Sequence, residues 1–361
     1  MDIDQKIALI KEVGEEIVTE EELRQLLTDK PHPIAYDGFE PSGTDIHIAQ
    51  GLMRAINVNK LTKTGIRFKM LVADWHGWAN NKMGGDLDKI QKVGKYYVEV
   101  WKACGMDLKH VEFIWASDLL DNREYWKTVM QIARNSTVKR ILRTVQIMGR
   151  SENDSLQASQ IFYPCMQAAD IFHLKADICQ LGMDQRKVNV LAREIGPSIG
   201  FYKPVIVSHH MLMGLSQPAP KTQDASVTER TIALKMSKSI PDSAIFMTDS
   251  EEDIKRKMKK AWCPEGQIEE NPVLEYFKYI IFNVKDSVTI ERPEKYGGNM
   301  EIGSYAELES KFQSKEIHPM DLKACAGTAI NDLVAPVREK IMHDSHLQNM
   351  REEIKSFEVT R

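Results

Sequence analysis

The sequence predicts an α/β fold: a doubly wound parallel sheet carrying a smaller, mostly helical C-terminal domain. Short apolar runs alternate with segments of helical period up to about residue 250. Each run ends in polar residues suited to holding a ligand. Beyond residue 250 helical periods continue without a clear parallel strand.

Taken in order, residues 3–27 read as amphipathic helices, with a capping box at Thr19-Glu20-Glu21-Glu22. Phe68 to Ala73 reads as a strand, followed at its carboxyl end by Asp74 and His76. Residues 86–104 are helical, and Val111 to Trp115 is a strand ending at Ser117 and Asp118. Residues 120–165 are helical and too long for a simple crossover. Ala176 to Leu181 is a strand running into Gly182-Met183-Asp184-Gln185, and Pro204 to Val207 one ending at Ser208-His209-His210. Parallel sheets of this kind bind ligands outside the carboxyl ends of their strands, where these polar residues gather. Ser250 to Lys260, 272–283 and 321–342 read as helices, the first rich in lysine. The expected organisation is N-terminal helices over 1–30, a sheet domain over 31–250 and a helical domain over 251–361.

Composition narrows the function. An apolar content of 42% supports a sizeable core, and a net charge of −4 confines any RNA contact to local basic patches. No apolar run reaches membrane-spanning length, and the charged start Met1-Asp2-Ile3-Asp4 lacks the apolar core of a signal peptide. The expected location is cytoplasmic, without membrane contact. Cys104, Cys165, Cys179, Cys263 and Cys325 form no C-x-x-C pair, which argues against structural zinc or a disulfide framework. Asn135-Ser136-Thr137 and Asn153-Asp154-Ser155 then read as chance glycosylation motifs.

The most informative stretch is Lys235-Met236-Ser237-Lys238-Ser239, where two ammonium groups and small hydroxyls suit a triphosphate. Upstream, Glu40 to Gly51 looks like a strand-to-helix turn, with His47 and Gln50 on one side of a helix start and free backbone amides favouring phosphate. The chain has neither a G-x-x-x-x-G-K-[ST] loop nor a G-x-G-x-x-G fingerprint, so any ATP must be held another way. Gly196-Pro197-Ser198-Ile199-Gly200 fits G-x-S-x-G but follows a helix rather than a strand, so it is not a hydrolase elbow. His209-His210 has no second ligand pair at a metal-binding spacing, and no metal site is expected.

Together the two motifs resemble the H-x-G-H and K-M-S-K-S signatures of class I aminoacyl-tRNA synthetases, which implies a Rossmann-like catalytic domain and a helical anticodon-binding domain. The first motif stands as His47-Ile48-Ala49-Gln50, so Gln50 offers a neutral donor where the family has a second histidine. Four segments resemble the tyrosyl-tRNA synthetases of the archaeal and eukaryotic cytosolic kind: Tyr36 to Gly43, Ala73 to His76, Tyr163 to Asp170 and Gly182 to Lys187. The resemblance implies that Tyr36 and Asp170 bind the phenol of L-tyrosine and that Tyr163, Gln167 and Gln185 bind its ammonium group. Gly38, Ala73 and His76 complete that pocket. ATP falls to Ser42, His47, Gln50, Gly51 and Lys235 through Ser239, with His47, Gln50, Lys235 and Lys238 catalytic. Magnesium is implied on the phosphates. Tyrosine ligation to tRNA is the implied activity.

The tRNA itself is implied to meet Arg186 and Lys187 near its acceptor end, and Tyr296, His318 and Asp321 at its anticodon, where rings stack on bases and a carboxylate reads guanine. Lys255 to Lys260 is a candidate backbone contact or a solvated face. The family is homodimeric, and residues 120–165 suit that interface. Two alternatives stand beside this reading. A tryptophanyl-tRNA synthetase shares the fold but needs no Tyr36–Asp170 pair. A catalytically inactive RNA-binding relative is favoured only by the altered His47–Gln50 motif.

Overall fold

The computed structural model describes residues 1–150, 154–220, 227–237 and 240–359. Its centre is a six-stranded sheet of β1 (Gly14–Val18), β2 (Ile34–Phe39), β3 (Arg67–Val72), β4 (Val111–Trp115), β5 (Ile178–Cys179) and β6 (Val205–His209). The spatial order is β1-β6-β5-β2-β3-β4. All neighbours are parallel except β1, which runs antiparallel to β6. The order reverses between β2 and β5, so a crevice opens there at the carboxyl edge.

The interior strands are apolar on both faces because helices cover both. Successive residues of one strand point to opposite sides. Ala35, Met70 and Ile178 enter one apolar cluster. Their neighbours Tyr36, Leu71 and Cys179 enter a second. The first cluster also takes in Val273, Leu308, Leu322 and Ile330 of the C-terminal helices, so sheet and helical region share one core. The second is closed by helices Arg123–Arg134 and Ala158–His173.

The N-terminus departs from the expected continuous helices. Helix Ile3–Lys11 ends, β1 follows, and helix Glu20–Asp29 begins with the expected capping box: the Glu22 amide donates to Thr19 Oγ1 at 3.2 Å and the Thr19 amide to Glu22 Oε2 at 3.4 Å. Gly14-Glu15-Glu16-Ile17-Val18 hides its strand because an edge position tolerates charge. The expected strand over 176–181 is regular only at Ile178–Cys179, although the Asp177 and Gln180 amides extend the pairing to the Ile34 and Tyr36 carbonyls. The helical expectation for 120–165 appears as Arg123–Arg134, Val138–Thr144 and the start of Ala158–His173. Beyond residue 250 the described residues add helices Glu251–Lys260, Pro272–Tyr279, Tyr305–Gln313, Pro319–His343 and Ser345–Lys355. They also add an antiparallel hairpin of β7 (Val288–Ile290) and β8 (Met300–Ile302).

Candidate functional site

A cavity of ≈1070 Å³ lies over the crevice between β2 and β5. Its wall takes Tyr36 and Gly38 from β2, His76 from the helix after β3, Tyr163, Gln167 and Asp170 from one helix, and Lys235 from the lysine segment. Ser42, His47, Gln50, Ala73, Gln185, Met236 and Ser237 line it too. Residues from five separate stretches of sequence, 36–50, 73–76, 163–170, 185 and 235–237, thus meet in one place.

Helix Ala158–His173 supplies the deepest group. Tyr163, Gln167 and Asp170 share one face of it, as a spacing of four and three requires. Asp170 is fully buried, and a buried carboxylate needs partners. Tyr125 donates its hydroxyl to Asp170 Oδ1 at 2.7 Å, and His76 Nε2 stands 3.0 Å from Asp170 Oδ2. Burial opposes a charge on His76, but the Asp170 carboxylate holds its pKa above the ordinary histidine value. The Tyr163 ring meets the His76 ring edge-on at 5.0 Å. The Tyr36 hydroxyl is buried and closes no well-formed hydrogen bond within the protein.

The amide of Gln167 is oriented by a chain of donors. Its Nε2 donates to Gln185 Oε1 at 3.0 Å, and Gln185 Nε2 donates to the Ile147 carbonyl at 2.9 Å. Gln167 Oε1 is therefore the atom left unbonded. An oxygen so oriented suits a cation such as an ammonium group. A Cβ on Gly38 would lie 3.7 Å from both Tyr36 Cε2 and Leu71 Cβ, ordinary contact, so the protein's own packing does not demand glycine there.

At the other end, the turn at His47 is clamped to the stretch after the lysine segment. Ile48 N–H donates to the Ile245 carbonyl and Met247 N–H to the Ile46 carbonyl, both at 2.9 Å. The helix then starts with a wide turn, Met53 N–H reaching the Ile48 carbonyl at 3.0 Å. The expectation of free amides needs correction, because the Gln50 and Gly51 amides donate to the His47 carbonyl at 2.9 Å. These tight bonds to one carbonyl take up both amides at the start of the widened turn. Gly51 does not line the cavity: a Cβ there would meet Met247 Sδ at 2.8 Å, so the close approach is to Met247 rather than to a ligand. Gln50 does face the cavity, with Oε1 buried and unbonded.

Lys235 pairs with Met213 in an antiparallel bridge, and its ammonium lies 2.8 Å from Asp184 Oδ2. Met236 is buried beneath it. Lys238 and Ser239 lie outside the described residues.

The residues expected on tRNA lie elsewhere. Arg186 holds Glu16 of β1 through two bonds, 2.6 and 2.9 Å, and Lys187 bonds Gln146. Tyr296 is exposed. His318 caps helix Pro319–His343, its Nδ1 accepting from the Met320 amide at 3.2 Å. Asp321 sits in that helix's first turn. Arg292 donates to the Glu316 carbonyl at 2.9 Å, so the hairpin loop and this helix start adjoin although distant in sequence. In the lysine-rich helix, Lys255, Arg256 and Lys260 pair with acids, and Lys257 is buried against Asp249 at 2.6 Å. It is not a continuous free basic face.

Several residues that line the cavity or hold its wall carried no assignment in the sequence. Asp184 sits inside the Gly182 to Lys187 segment, which marked the region but not that side chain. Asp37 pairs with Arg54 at 2.8 Å beside the cavity, and burial pushes the Asp37 pKa up to about 6 against the pull of Arg54. Tyr125 lies 45 residues from Asp170, and no motif links them.

A family model for class I tRNA synthetases (W and Y) matches residues 28–335. Tyrosine–tRNA ligase 1, cytoplasmic, of Arabidopsis thaliana is 51% identical over 363 residues, spanning 100% of this chain and 90% of its own. The solved Pyrococcus horikoshii tyrosyl-tRNA synthetase, complexed with L-tyrosine, matches at a TM-score of 0.87 and 38% identity, over 98% of this chain and 100% of that one. The Leishmania major tyrosyl-tRNA synthetase in complex with tyrosinol matches at 0.88 and 43% identity, over 99% of this chain, which spans 52% of that longer one.

Proposed function

This chain belongs to the class I tRNA synthetases (W and Y), and on that premise we propose that it is a tyrosine–tRNA ligase. It joins L-tyrosine to ATP as tyrosyl-adenylate with release of pyrophosphate. It then passes the tyrosyl group to the 3′-terminal adenosine of tRNA-Tyr. One observation carries the reading. Tyr36 Oη, Gln50 Oε1 and Gln167 Oε1 are buried, lack a well-formed hydrogen bond within the protein although the Gln167 amide acts on the Tyr36 hydroxyl, and belong to residues that line the same cavity. Buried polar groups are normally satisfied, so such atoms mark a ligand's place.

The substrate phenol sits between Tyr36 and Asp170, and the ammonium group meets Gln167, Tyr163 and Gln185. The tyrosine carboxylate is the nucleophile. Its oxygen bonds to the α-phosphorus of ATP as the bond to the bridging oxygen breaks, and that electron pair leaves with pyrophosphate. In the second step an adenosine hydroxyl attacks the tyrosyl carbonyl, AMP leaves, and the hydroxyl proton is released. The protein supplies position and charge rather than a covalent intermediate. Lys235 and Lys238 stabilise the phosphate charge, and His47 and Gln50 hydrogen-bond the nucleotide, Gln50 Oε1 accepting from a ribose hydroxyl. Magnesium would accompany ATP as the counter-ion of its phosphates.

Tyr296, His318 and Asp321 form the anticodon side, and Arg186 and Lys187 the acceptor side once Arg186 leaves Glu16. Helices Arg123–Arg134 and Ala158–His173 pack together and expose Trp126, Met130 and Phe162, which supports a second copy docking there as a homodimer. The Arabidopsis relative is named cytoplasmic, which supports that location here.

The test is exchange of labelled pyrophosphate into ATP, followed by charging of tRNA-Tyr. Exchange dependent on L-tyrosine is expected. Dependence on L-tryptophan instead would assign the chain to the sister specificity, and no exchange with either would leave it a non-catalytic relative.

A further inference from the structure

A charged cluster beside the cavity ties three parts of the chain to the lysine segment. His210 follows the last residue of β6 and lines the cavity. Its Nδ1 stands 3.1 Å from Glu15 Oε2 of β1, and its Nε2 stands 3.1 Å from Glu275 Oε2 of helix Pro272–Tyr279. The ring lies flat on Tyr279, with centroids 4.3 Å apart and planes 10° off parallel. The same Glu275 oxygen accepts the Met213 amide at 2.8 Å.

Met213 is the residue against which Lys235 pairs. Gly214 N–H donates to the Leu234 carbonyl at 3.0 Å and Met236 N–H to the Leu212 carbonyl at 2.8 Å, closing the ladder on either side. A continuous path of contacts therefore runs from Glu15 through His210, Glu275 and Met213 to Lys235. Glu275 lies in the first turn of its helix, where the dipole favours a carboxylate. The Met213 amide donates to that carboxylate, and the His210 ring, fixed by stacking, stands beside it as an ion-pair partner, so the carboxylate keeps little rotational freedom.

We propose that Glu275, oriented by His210, is a positioning residue for Lys235: it fixes the 212–214 stretch on which Lys235 pairs, and so sets where the Lys235 ammonium meets the phosphates of ATP. This rests on the reading of Lys235 as a phosphate-stabilising group.

The charged and titratable groups facing the His210 ring are Glu15 from β1, Glu275, Lys278 and Tyr279 from the C-terminal helix, and His209 from its own strand. Burial opposes the charge on His210, and the two carboxylates outweigh it, raising its pKa from 6.5 to about 9. Burial pushes His209 down to about 3, so it stays neutral. The brace is therefore charged at neutral pH and loses its charge as the pH passes about 9.

Three variants test this in the full chain: Glu275→Ala, Glu275→Gln and His210→Phe, the last retaining a ring on Tyr279. Glu275→Ala should lower the exchange kcat about tenfold while the tyrosine KM stays within about twofold, as expected when a transition-state contact is misplaced. Glu275→Gln should recover part of the rate, because its amide oxygen still accepts from Met213. The ratio of wild-type to His210→Phe rates should fall towards one as the pH passes about 9, since titrations common to both cancel. Separately, limited acetylation read by mass spectrometry should show Lys235 several-fold more reactive in Glu275→Ala than in wild type, with other lysines unchanged. Unchanged Lys235 labelling together with an unchanged kcat would overturn the inference. Equal losses in tyrosine KM, ATP KM and melting temperature would also overturn it, assigning the cluster to stability alone. A wild type without tyrosine-dependent exchange would defeat the functional reading instead, and the labelling would still judge the brace.

Discussion

The two ends of the cavity are built differently. The end proposed for tyrosine grows out of the second apolar cluster: Tyr36, Tyr163 and Asp170 are buried, and Tyr125, His76 and Gln185 hold the polar groups in place. The end proposed for the nucleotide is assembled from segments distant in sequence. His47 is fastened to the 245–247 stretch, and Lys235 hangs on a single bridge of two backbone bonds with its ammonium at Asp184, part-exposed. One end is shaped by close packing, which resists adjustment. The other is held by a few hydrogen bonds, each of net value about 1 kcal/mol, which can rearrange around a large charged substrate. Discrimination between amino acids should therefore sit in rigid groups, and rate in movable ones.

The largest effect expected of that contrast is at Asp170. Asp170→Ala removes both carboxylate oxygens, the acceptor proposed for the phenol among them, and leaves His76 without its counter-charge, so tyrosine activation should fall by about 10²–10³-fold. Tyr36→Phe removes one hydrogen bond and should cost about tenfold, with a smaller preference for tyrosine over phenylalanine. Activation kinetics with both amino acids measure this, and equal preference ratios in wild type and both variants would place the phenol elsewhere. Next comes Lys235→Ala, expected to slow adenylate formation by about 10²-fold with tyrosine affinity unmoved, as loss of a preorganised charge does. Rapid-mixing kinetics separate the two quantities, and a raised tyrosine Kd would erase the contrast between the ends. Gln50→Ala should cost about tenfold, the value of one neutral hydrogen bond, whereas Gln50→His should remain active. A fully active Gln50→Ala enzyme would remove that side chain from the nucleotide end.

The smallest effect is a slope in stability with pH. The folded pKa of His76 lies above its ordinary 6.5. Protonated His76 therefore stabilises the fold fully below about 6.5, and that share is lost as the pH rises through the raised value. Melting curves across this window should show the decline in wild type and a flatter profile in His76→Gln. Identical profiles would mean that the Asp170 contact contributes nothing to rigidity at the tyrosine end.

What the sequence made legible follows the same division. The alternation that predicted the sheet, and the four-and-three spacing of Tyr163, Gln167 and Asp170, are local patterns, and such patterns survive folding. The capping box at Thr19 was legible for the same reason. β1 was not, because an edge strand containing Glu15 and Glu16 carries no apolar signature. Nor were Tyr125 on Asp170 or Asp184 on Lys235, contacts that depend on how distant segments dock. The widened turn at residues 49–53 also escaped, as did the bonds to the His47 carbonyl that take up the expected free amides of Gln50 and Gly51.

Strand β2 has one further consequence. It is a shared wall, and the parity of its numbering sorts its side chains between the two apolar clusters. Tyr36 enters one, while Phe39, against Trp101, enters the other, and Asp37 turns to Arg54. A substitution in β2 therefore edits the surroundings on one side at a time, whereas a single-residue insertion or deletion exchanges them all at once. Changes of specificity are open to this wall by point mutation, and changes of length are closed to it.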